Sequence, residues 1–382
     1  MRSAVLAEVG RMEVREVPVV APGPRDVLLR VAAVGLCGTD FHIFNGHGNY
    51  HVDPSGRTIP LLESPQVLGH EFVGIVEEAG PAVGDLAVGD RVVVDQGRNC
   101  MSVARLPLCE YCATADSHQC ATYAEHGITG LPGALAEYIT MPAVNAVKVE
   151  AELPDEEMAL TEPLGCVVHS IDLLLKASTR YRLRDADPVH RVDTVLIFGG
   201  GPAGLLFTQY LRLALGYEGR IVVSEPNPIK RGLAESFGAT TVDSSKADLA
   251  AEIGEMTGGR RAELIIDASG AGAVFTGMFR LLRKQGTVLL YGHGHTGVDL
   301  SVLNNLQFLE PTLLSPVGAS GGFEPDGRPS TYRRALGLLE TSRVKVGSFI
   351  THRYHSLDQV PAAFAGAHKA ADYVKGVVLL CA

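Results

Sequence analysis

The sequence predicts an α/β protein in which a doubly wound parallel-sheet domain is inserted into a mostly β domain, and three observations lead to this prediction. Near residue 165 the pattern changes from short strand-like runs broken by turn residues to apolar strands that alternate with helical stretches. A glycine-rich segment directly follows one of these strands. Beyond residue 305 the alternation fades into Pro- and Gly-rich sequence. We therefore expect a discontinuous domain of residues 1–165 and 305–382 around a domain of residues 166–304.

The composition is typical of a globular protein and argues against nucleic acid as a partner. The 382 residues are too many for one ordinary core, which favours two domains. A formal net charge of −10, without a clustered run of Lys and Arg, argues against nucleic acid. No stretch approaches the ~20 uninterrupted apolar residues of a membrane span, and charged residues interrupt the region where a secretory signal would lie. We expect a cytoplasmic protein that binds neither nucleic acid nor membrane.

The residue pattern also predicts the individual elements. In the first part we expect a hairpin over residues 1–20 and strands over 27–33, 72–77 and 91–95. In the second part we expect strands over 194–198, 221–224, 264–268 and 287–291, alternating with helices over 205–215, 229–237 and 274–282. Such alternation is typical of a parallel sheet with helices on both faces. After residue 305 we expect a helix over 332–341 and a strand over 374–380.

A glycine-rich segment is the main cofactor motif. It reads G-x-G-x-x-G between a predicted strand and a predicted helix, and comprises Gly199, Gly200, Gly201, Pro202, Ala203 and Gly204. Gly199 permits the tight turn, Gly201 lets the backbone approach a pyrophosphate, and Gly204 permits close packing of helix on strand. The helix N-terminus offers free N–H groups to phosphates. This context predicts a Rossmann-type dinucleotide site; the alternative is that the glycines only shape a turn.

Glu225 indicates which dinucleotide is bound. It ends the next predicted strand, about 20 residues beyond the last glycine, where an acidic side chain accepts hydrogen bonds from the adenosine ribose. Because a carboxylate repels a 2′-phosphate, we expect NAD. NADP is the alternative, since Lys230 and Arg231 follow closely and could pair with that phosphate. Structurally, Glu225 could instead cap a helix.

Four cysteines form a compact motif within a predicted lobe of about residues 96–122. Cys100, Cys109, Cys112 and Cys120 read C-x8-C-x2-C-x7-C and offer four thiolates in one loop, which is the ligand set of a closed structural zinc site. The alternatives are two disulfides or four unrelated buried thiols. Their clustering favours a metal in a reducing compartment over a secreted disulfide framework.

A second, dispersed set of residues could hold another metal. Cys37 lies in the segment Gly35–His42, His70 and Glu71 are adjacent, and Glu162 opens the segment Glu-Pro-Leu-Gly. Each is a weak predictor alone, since single Cys and His residues are usually structural. Together, upstream of a dinucleotide fold, a Cys, a His and a carboxylate predict a zinc ion with one position open to substrate. We therefore expect two zinc ions per chain.

With these motifs the chain resembles the zinc-containing medium-chain dehydrogenases over essentially its whole length. The segments around Glu71 and Glu162 are similar to those of sorbitol, cyclitol and sugar dehydrogenases and of threonine dehydrogenase. The resemblance implies a GroES-like catalytic domain, a Rossmann-type domain, and a homodimer or homotetramer. It also implies that Cys37 and His70 are zinc ligands, that Glu71 is a ligand or lies near one, and that Glu162 coordinates directly or through water.

The resemblance has one departure and one mechanistic implication. Eight residues separate Cys100 from Cys109, whereas the family usually has two.

In the mechanism that the family implies, Thr39 accepts the alcohol proton and passes it through the nicotinamide ribose toward His42 and solvent. The structural alternatives are a turn hydroxyl for Thr39 and a solvated surface residue for His42.

The expected substrate is a small-molecule alcohol, a polyol, sugar or cyclitol that is oxidised at a secondary hydroxyl. Glu71 and Glu162 would make the cleft polar, and the polar loop of residues 45–65 could cover its entrance or be a surface excursion. The alternatives are threonine, a simple secondary alcohol, or a nucleotide-binding protein without activity. Cys166 and Cys381 are expected to be small buried residues. No role is predicted for His293 and His295.

Overall fold

The structure, a computed structural model, describes residues 1–380. The chain forms two compact units. The first unit comprises Met1–Cys166 and the chain from Val317 onward, and the second comprises Val167–Pro316.

The N-terminal part of the first unit is mostly β, as expected. Its elements are β1 (Arg2–Glu8), β2 (Arg11–Glu16), β3 (Asp26–Leu36), α1 (Gly38–Phe44), β4 (Gln66–Val67), β5 (Glu71–Ala79), β6 (Arg91–Val94), β7 (Gly97–Arg98), α2 (Glu110–Ala113), β8 (Ala124–Glu125), β9 (Tyr138–Pro142), β10 (Ala146–Lys148), α3 (Asp155–Met158) and α4 (Thr161–Lys176). β1 and β2 form the predicted opening hairpin.

The second unit alternates strands and helices. Its elements are β11 (Thr194–Phe198), α5 (Pro202–Gln209), β12 (Arg220–Ser224), α6 (Pro228–Ser236), β13 (Thr240–Val242), α7 (Leu249–Thr257), β14 (Ala262–Asp267), α8 (Gly272–Met278), β15 (Leu282–Leu290) and β16 (Thr312–Leu314). The chain then returns to the first unit with α9 (Ser330–Glu340), β17 (Ile350–Tyr354), α10 (Val360–Ala365) and β18 (Lys375–Leu379).

A seven-stranded sheet organises the first unit. The strand order is β10-β6-β5-β3-β18-β17, and β9 also pairs with β3. β3 is antiparallel to both β5 and β18, with Gly35 opposite Glu71 and Leu36 opposite Gly376. The end of β3 therefore lies between the beginnings of β5 and β18. Apolar side chains of this sheet, among them Leu29, form the core of the unit.

The second unit is built on a six-stranded parallel sheet of order β13-β12-β11-β14-β15-β16. All five residues of β11 are buried, as is usual for a strand covered on both faces. This strand order is that of the Rossmann-type fold, which confirms the predicted fold class. The expected domain boundary near residue 305 falls before β16, whose pairing with β15 keeps residues up to Pro316 in this unit.

Several elements did not follow from local pattern. The strands β13 and β16 have three residues each, and α1 has seven, which is too short for a periodic pattern to be recognised. The segment Asp155–Lys176, which includes α4, is long and apolar enough to cross a membrane by composition alone. However, 83% of its most apolar window is buried inside the molecule, as in the core helix of a globular protein.

Candidate active site

Asp40 joins the beginning of α1 to His70. Its Oδ2 accepts the backbone N–H of Cys37 at 2.9 Å, which caps the helix N-terminus, and its Oδ1 lies 3.3 Å from the backbone N of Gly69. The same Oδ1 is 3.4 Å from Nδ1 of His70. This contact is an ion pair, and carboxylates behind histidines are common at metal sites. The three-residue spacing from Cys37 to Asp40 could have predicted the cap.

Three of the four residues predicted for the catalytic metal lie together. The Sγ atom of Cys37, a ring nitrogen of His70 and a carboxylate oxygen of Glu71 all lie within 4.8 Å of one another. His70 and Glu71 are buried and Cys37 is partly exposed. Glu162 does not belong to this cluster. We call Cys37, His70 and Glu71 the β3–β5 cluster.

Lys375 is a residue of this site that the sequence did not reveal. Its Nζ lies 2.5 Å from Oε2 of Glu71 and donates a hydrogen bond to the carbonyl of Leu36 at 2.9 Å. The contact with Glu71 is an ion pair. Gly35 makes room for it, since a Cβ there would lie 2.2 Å from that Oε2. Lys375 is 2% exposed, and a buried lysine of this kind needs such a partner.

The charges of the β3–β5 cluster suit a cation. Burial lowers the pKa of His70, but the charges of Asp40 and Cys37 outweigh it, so the pKa of His70 is raised well above its ordinary value. The cluster therefore attracts a proton between anionic groups. A divalent cation bound by the same donors would replace that proton, which is the behaviour of a metal site built from thiolate, imidazole and carboxylate.

Glu162 lies in the first turn of α4 and is held by two donors. Nε2 of Gln96 donates to its Oε1 at 3.1 Å, and the Cys166 thiol donates to the same oxygen at 3.2 Å. Burial raises the pKa of Glu162 to about 7, an effect that Glu71 increases and His70 opposes. Cys166 is buried, as expected, and it also binds Glu162. Cys381 lies outside the described residues.

Thr39 and His42 lie one turn apart on α1, so both project from the same side of the helix. Both are partly exposed. The His42 ring lies 6.1 Å from that of His47. Their spacing fits the expected proton relay, and the relay itself stays a prediction.

The four lobe cysteines lie together. Their Sγ atoms are all within 4.8 Å of one another, and none of the four forms a disulfide. The eight-residue segment between Cys100 and Cys109 contains a turn in which the N–H of Arg105 donates to the carbonyl of Cys100 at 2.8 Å, and the N–H of Cys109 donates to Sγ of Cys100 at 3.4 Å. Backbone N–H groups of Ala121 and Cys112 lower the pKa of Cys109 to about 6. The longer spacing therefore preserves a four-thiol arrangement.

The glycine turn has the geometry that the motif predicts. Gly199 has a φ of +95°, in the left-handed region that favours glycine. A Cβ on Gly204 would lie 1.9 Å from the carbonyl oxygen of Gly199, so only glycine permits this packing. A Cβ on Gly201 would meet nothing within 4 Å, which leaves open space beside the N-terminus of α5.

Glu225 binds the glycine turn. Its Oε2 accepts the N–H of Gly200 at 2.7 Å and its Oε1 accepts the N–H of Asn227 at 2.8 Å. Asn227 is the N-cap of α6, so Glu225 does not have the capping role considered as an alternative. The guanidinium of Arg231 donates to the carbonyls of Glu225 and Pro226 and pairs with Asp243. The side chain of Arg231 is therefore engaged locally.

Two sequence features without an assigned role have defined surroundings. His295 Nε2 lies 2.7 Å from Oδ2 of the buried Asp267, at the carboxyl end of β14, and a Cβ on Gly270 would meet the carbonyl of His293 at 2.4 Å. The loop of residues 45–65 contains a hydrogen bond from Nδ2 of Asn49 to the carbonyl of Ile59 at 2.9 Å and a β-bridge between Val52 and Thr58.

The comparisons with known proteins agree with this architecture. The family model of the alcohol dehydrogenase GroES-like domain matches residues 23–151, and that of the zinc-binding dehydrogenase matches residues 202–341. An L-threonine 3-dehydrogenase of Pyrococcus furiosus is 30% identical over 355 residues, covering 92% of this chain and 90% of that protein. A protein of Arthroderma otae named "Probable D-xylulose reductase A" is 31% identical over 371 residues, covering 96% of this chain and 91% of that protein.

A solved structure is similar over the whole chain. It is assigned to the zinc-binding dehydrogenases, comes from Sinorhizobium meliloti 1021 and was determined bound to NADP; it is 31% identical, with a TM-score of 0.78 over 99% of both chains. This chain belongs to the zinc-dependent medium-chain dehydrogenases, a family of oxidoreductases that combine a GroES-like domain with a Rossmann-type domain.

Proposed function

We propose that this enzyme oxidises a secondary alcohol of a polyol, sugar or cyclitol with NAD. The observation that carries the proposal is the buried polar surrounding of the β3–β5 cluster, in which Glu71, Glu162 and Gln96 are each at most 5% exposed. A site made of such groups suits a ligand with several hydroxyls, because an aliphatic alcohol would leave buried polar groups unpaired.

The chain's own residues suit this reaction. A zinc ion held by Cys37, His70 and a carboxylate would act as a Lewis acid on the alcohol oxygen, and NAD would accept the hydride. Asp40, whose carboxylate lies 3.4 Å from Nδ1 of His70, would orient the imidazole for this role. Thr39 would receive the hydroxyl proton and His42 would pass it to solvent. We propose Glu71, the carboxylate of the cluster, as the ligand or near-ligand, with Glu162 as the neighbouring acid.

We propose two zinc ions per chain, one in the β3–β5 cluster and one between the four lobe cysteines. The close approach of both donor sets supports this proposal. Elemental analysis of folded protein is expected to find two zinc ions, of which a mild chelator removes the catalytic one first because its coordination sphere is open. Only one tightly held zinc in folded protein would contradict the proposal.

We propose NAD rather than NADP as the cofactor. Glu225 is placed at the glycine turn, and Arg231 is engaged with two carbonyls and Asp243. The NADP bound to the 31% identical structure is the opposing observation, and Lys230, whose Cβ lies beside Gly200, is the residue that could favour NADP. Values of kcat/KM with each cofactor decide the question. A preference for NADP that Lys230→Met abolishes would overturn the proposal.

L-threonine is the second candidate substrate, because threonine 3-dehydrogenases are 30% identical over nine-tenths of the chain. The test is a panel of myo-inositol, scyllo-inositol, sorbitol, xylitol, glucose, galactose, threonine and 2-butanol, with NADH formation measured at 340 nm. Preference for threonine or 2-butanol would reject the polyol proposal but leave hydride transfer intact. No turnover of any alcohol would favour a binding protein without activity.

We also propose a homodimer or homotetramer in the cytoplasm. The strand β16 lies at the edge of the parallel sheet and carries Leu313, which is 42% exposed; Leu300 and Phe308, in the segment before it, are each 68% exposed. An edge strand with apolar neighbours can pair with a second copy. Sedimentation of wild type and of Leu313→Lys tests this: we expect an oligomer for the wild type and a smaller species for the variant.

A further inference from the structure

A buried amide connects Glu162 with α9. Gln96 lies between β6 and β7 and is 1% exposed. Its Oε1 accepts a hydrogen bond from the Tyr332 hydroxyl on α9. Its Nε2 lies 3.1 Å from Oε1 of Glu162 and 3.4 Å from Oε1 of Glu125. The side chain thus touches three polar groups from three parts of the first unit.

These partners determine which way the amide faces. An amide nitrogen has two N–H donors, and two carboxylates are the acceptors beside it. The Tyr332 hydroxyl can donate to the amide oxygen on the other side. The flipped amide would place its oxygen against both carboxylates, lone pair against lone pair, in a buried site where such a contact is costly. The network therefore favours one orientation of Gln96.

The orientation of Gln96 in turn selects one oxygen of Glu162. Gln96 and Cys166 both donate to Oε1, at 3.1 Å and 3.2 Å. Oε2 is then the oxygen left for other partners. The charges of both His70 and Glu71 act on the pKa of this carboxylate, so the β3–β5 cluster lies in its neighbourhood.

We propose that Gln96 is a positioning residue for Glu162, which holds Oε1 and turns Oε2 toward the β3–β5 cluster. The inference rests on the proposed metal and alcohol chemistry of that cluster. In this arrangement Oε2 is a fixed acceptor, for a cation, for a water molecule bound to it, or for a second hydroxyl of the substrate. Tyr332 acts one step further out, because it fixes the amide that fixes the carboxylate.

The test combines four variants of the full-length enzyme: Gln96→Met, Tyr332→Phe, Glu162→Gln and the double variant Gln96→Met with Glu162→Gln. Tyr217→Phe is the matched control, because Tyr217 is a buried phenol (4% exposed) in the other unit whose hydroxyl binds the carbonyl of Val192. Three experiments are made on each variant. They measure the thermal midpoint, the steady-state kinetics (kcat and KM), and the visible spectrum after Co²⁺ replaces the exchangeable zinc.

We expect Gln96→Met to lower kcat/KM by about 10- to 100-fold, the usual effect of losing a hydrogen-bond partner behind a metal site, and to change the Co²⁺ spectrum. Tyr332→Phe changes kcat/KM and the Co²⁺ spectrum in the same direction as Gln96→Met, whereas Tyr217→Phe changes only the thermal midpoint. The double variant loses no more activity than Glu162→Gln alone, because Gln96 acts through Glu162.

Two results would overturn the inference. One is a folded Gln96→Met enzyme with an unchanged Co²⁺ spectrum, and the other is fully additive losses in the double variant, which would indicate a separate structural role. If the wild type oxidises no alcohol, the proposed function fails, and the Co²⁺ spectra still decide whether Gln96 positions Glu162.

Discussion

The ammonium of Lys375 lies 2.5 Å from Oε2 of Glu71, across the end of β3 at Gly35. Burial opposes the charge of the lysine, but Glu71 and Cys37 outweigh it, so the pKa of Lys375 is raised and the ammonium is retained. The β3–β5 cluster thus contains a fixed positive charge beside its anionic donors. That charge shares Glu71 with any metal ion bound there.

Replacing Lys375 is expected to make folding depend more strongly on zinc. Lys375→Met leaves a buried carboxylate without its partner, and breaking a buried pair costs about 3–5 kcal/mol. Bound zinc compensates part of this loss because it supplies the missing positive charge. Urea unfolding measures the free energy of unfolding with and without saturating zinc. Lys375→Arg is the charge-preserving control. An equal loss in the two metal states would contradict this explanation.

Substitution of Cys37 and substitution of a lobe cysteine are expected to have different effects on activity and stability. Cys37→Ser removes a donor from the proposed catalytic metal site, whose coordination sphere would be open, so we expect loss of turnover with a nearly unchanged thermal midpoint. Cys112→Ser opens the four-thiol lobe, so we expect a lower thermal midpoint and loss of the tightly held zinc. Thermal unfolding and elemental analysis of both variants provide the comparison. A Cys112→Ser protein of normal stability would show that the lobe holds no structural metal.

In metal-free protein, the stabilising contribution of His70 and Glu162 is expected to decrease as the pH rises from about 5 to about 8. The raised pKa of His70 stabilises the folded state below the unfolded value of 6.5, and this contribution is lost as pH rises through the folded pKa. Glu162, whose pKa burial raises from 4.5 to about 7, has the same sign between those values. Urea unfolding of chelator-treated protein at several pH values tests this.

The control for the pH prediction is the double variant His70→Gln with Glu162→Gln. It lacks both titrating groups, so the contribution that decreases with pH is expected to be missing from it. The same change of stability with pH in the wild type and in the double variant would contradict the assignment. Zinc binding is also expected to release protons, because His70 must lose its proton to coordinate.

Local patterns were sufficient for much of the fold. The strand at 194–198 and its glycine turn were predicted as they occur, because a fully buried parallel strand is a continuous apolar run and the turn demands glycine. The opening hairpin and the grouping of the four lobe cysteines likewise depend on residues close together in the chain.

The site residues that the sequence did not reveal are brought to the site by contacts between distant parts of the chain. Lys375 binds the carbonyl of Leu36 across 339 positions, and Tyr332 reaches Gln96 across 236. Neither residue belongs to a recognisable motif, and only the sheet order and the packing of α9 bring them to the site. The identity of the substrate cannot be predicted from a local sequence pattern either, because it depends on how side chains from separate segments surround the site.

The position of β18 has a consequence for synthesis on the ribosome. Cys37, His70 and Glu71 emerge early, and the whole unit Val167–Pro316 is made before the strand that carries Lys375. Domains generally fold as units while the chain grows. Until β18 is added beside β3, a nascent chain holds Glu71 without its ammonium partner. An early-bound zinc ion would neutralise it during that interval, so metal supply during translation bears on how many chains reach the native state.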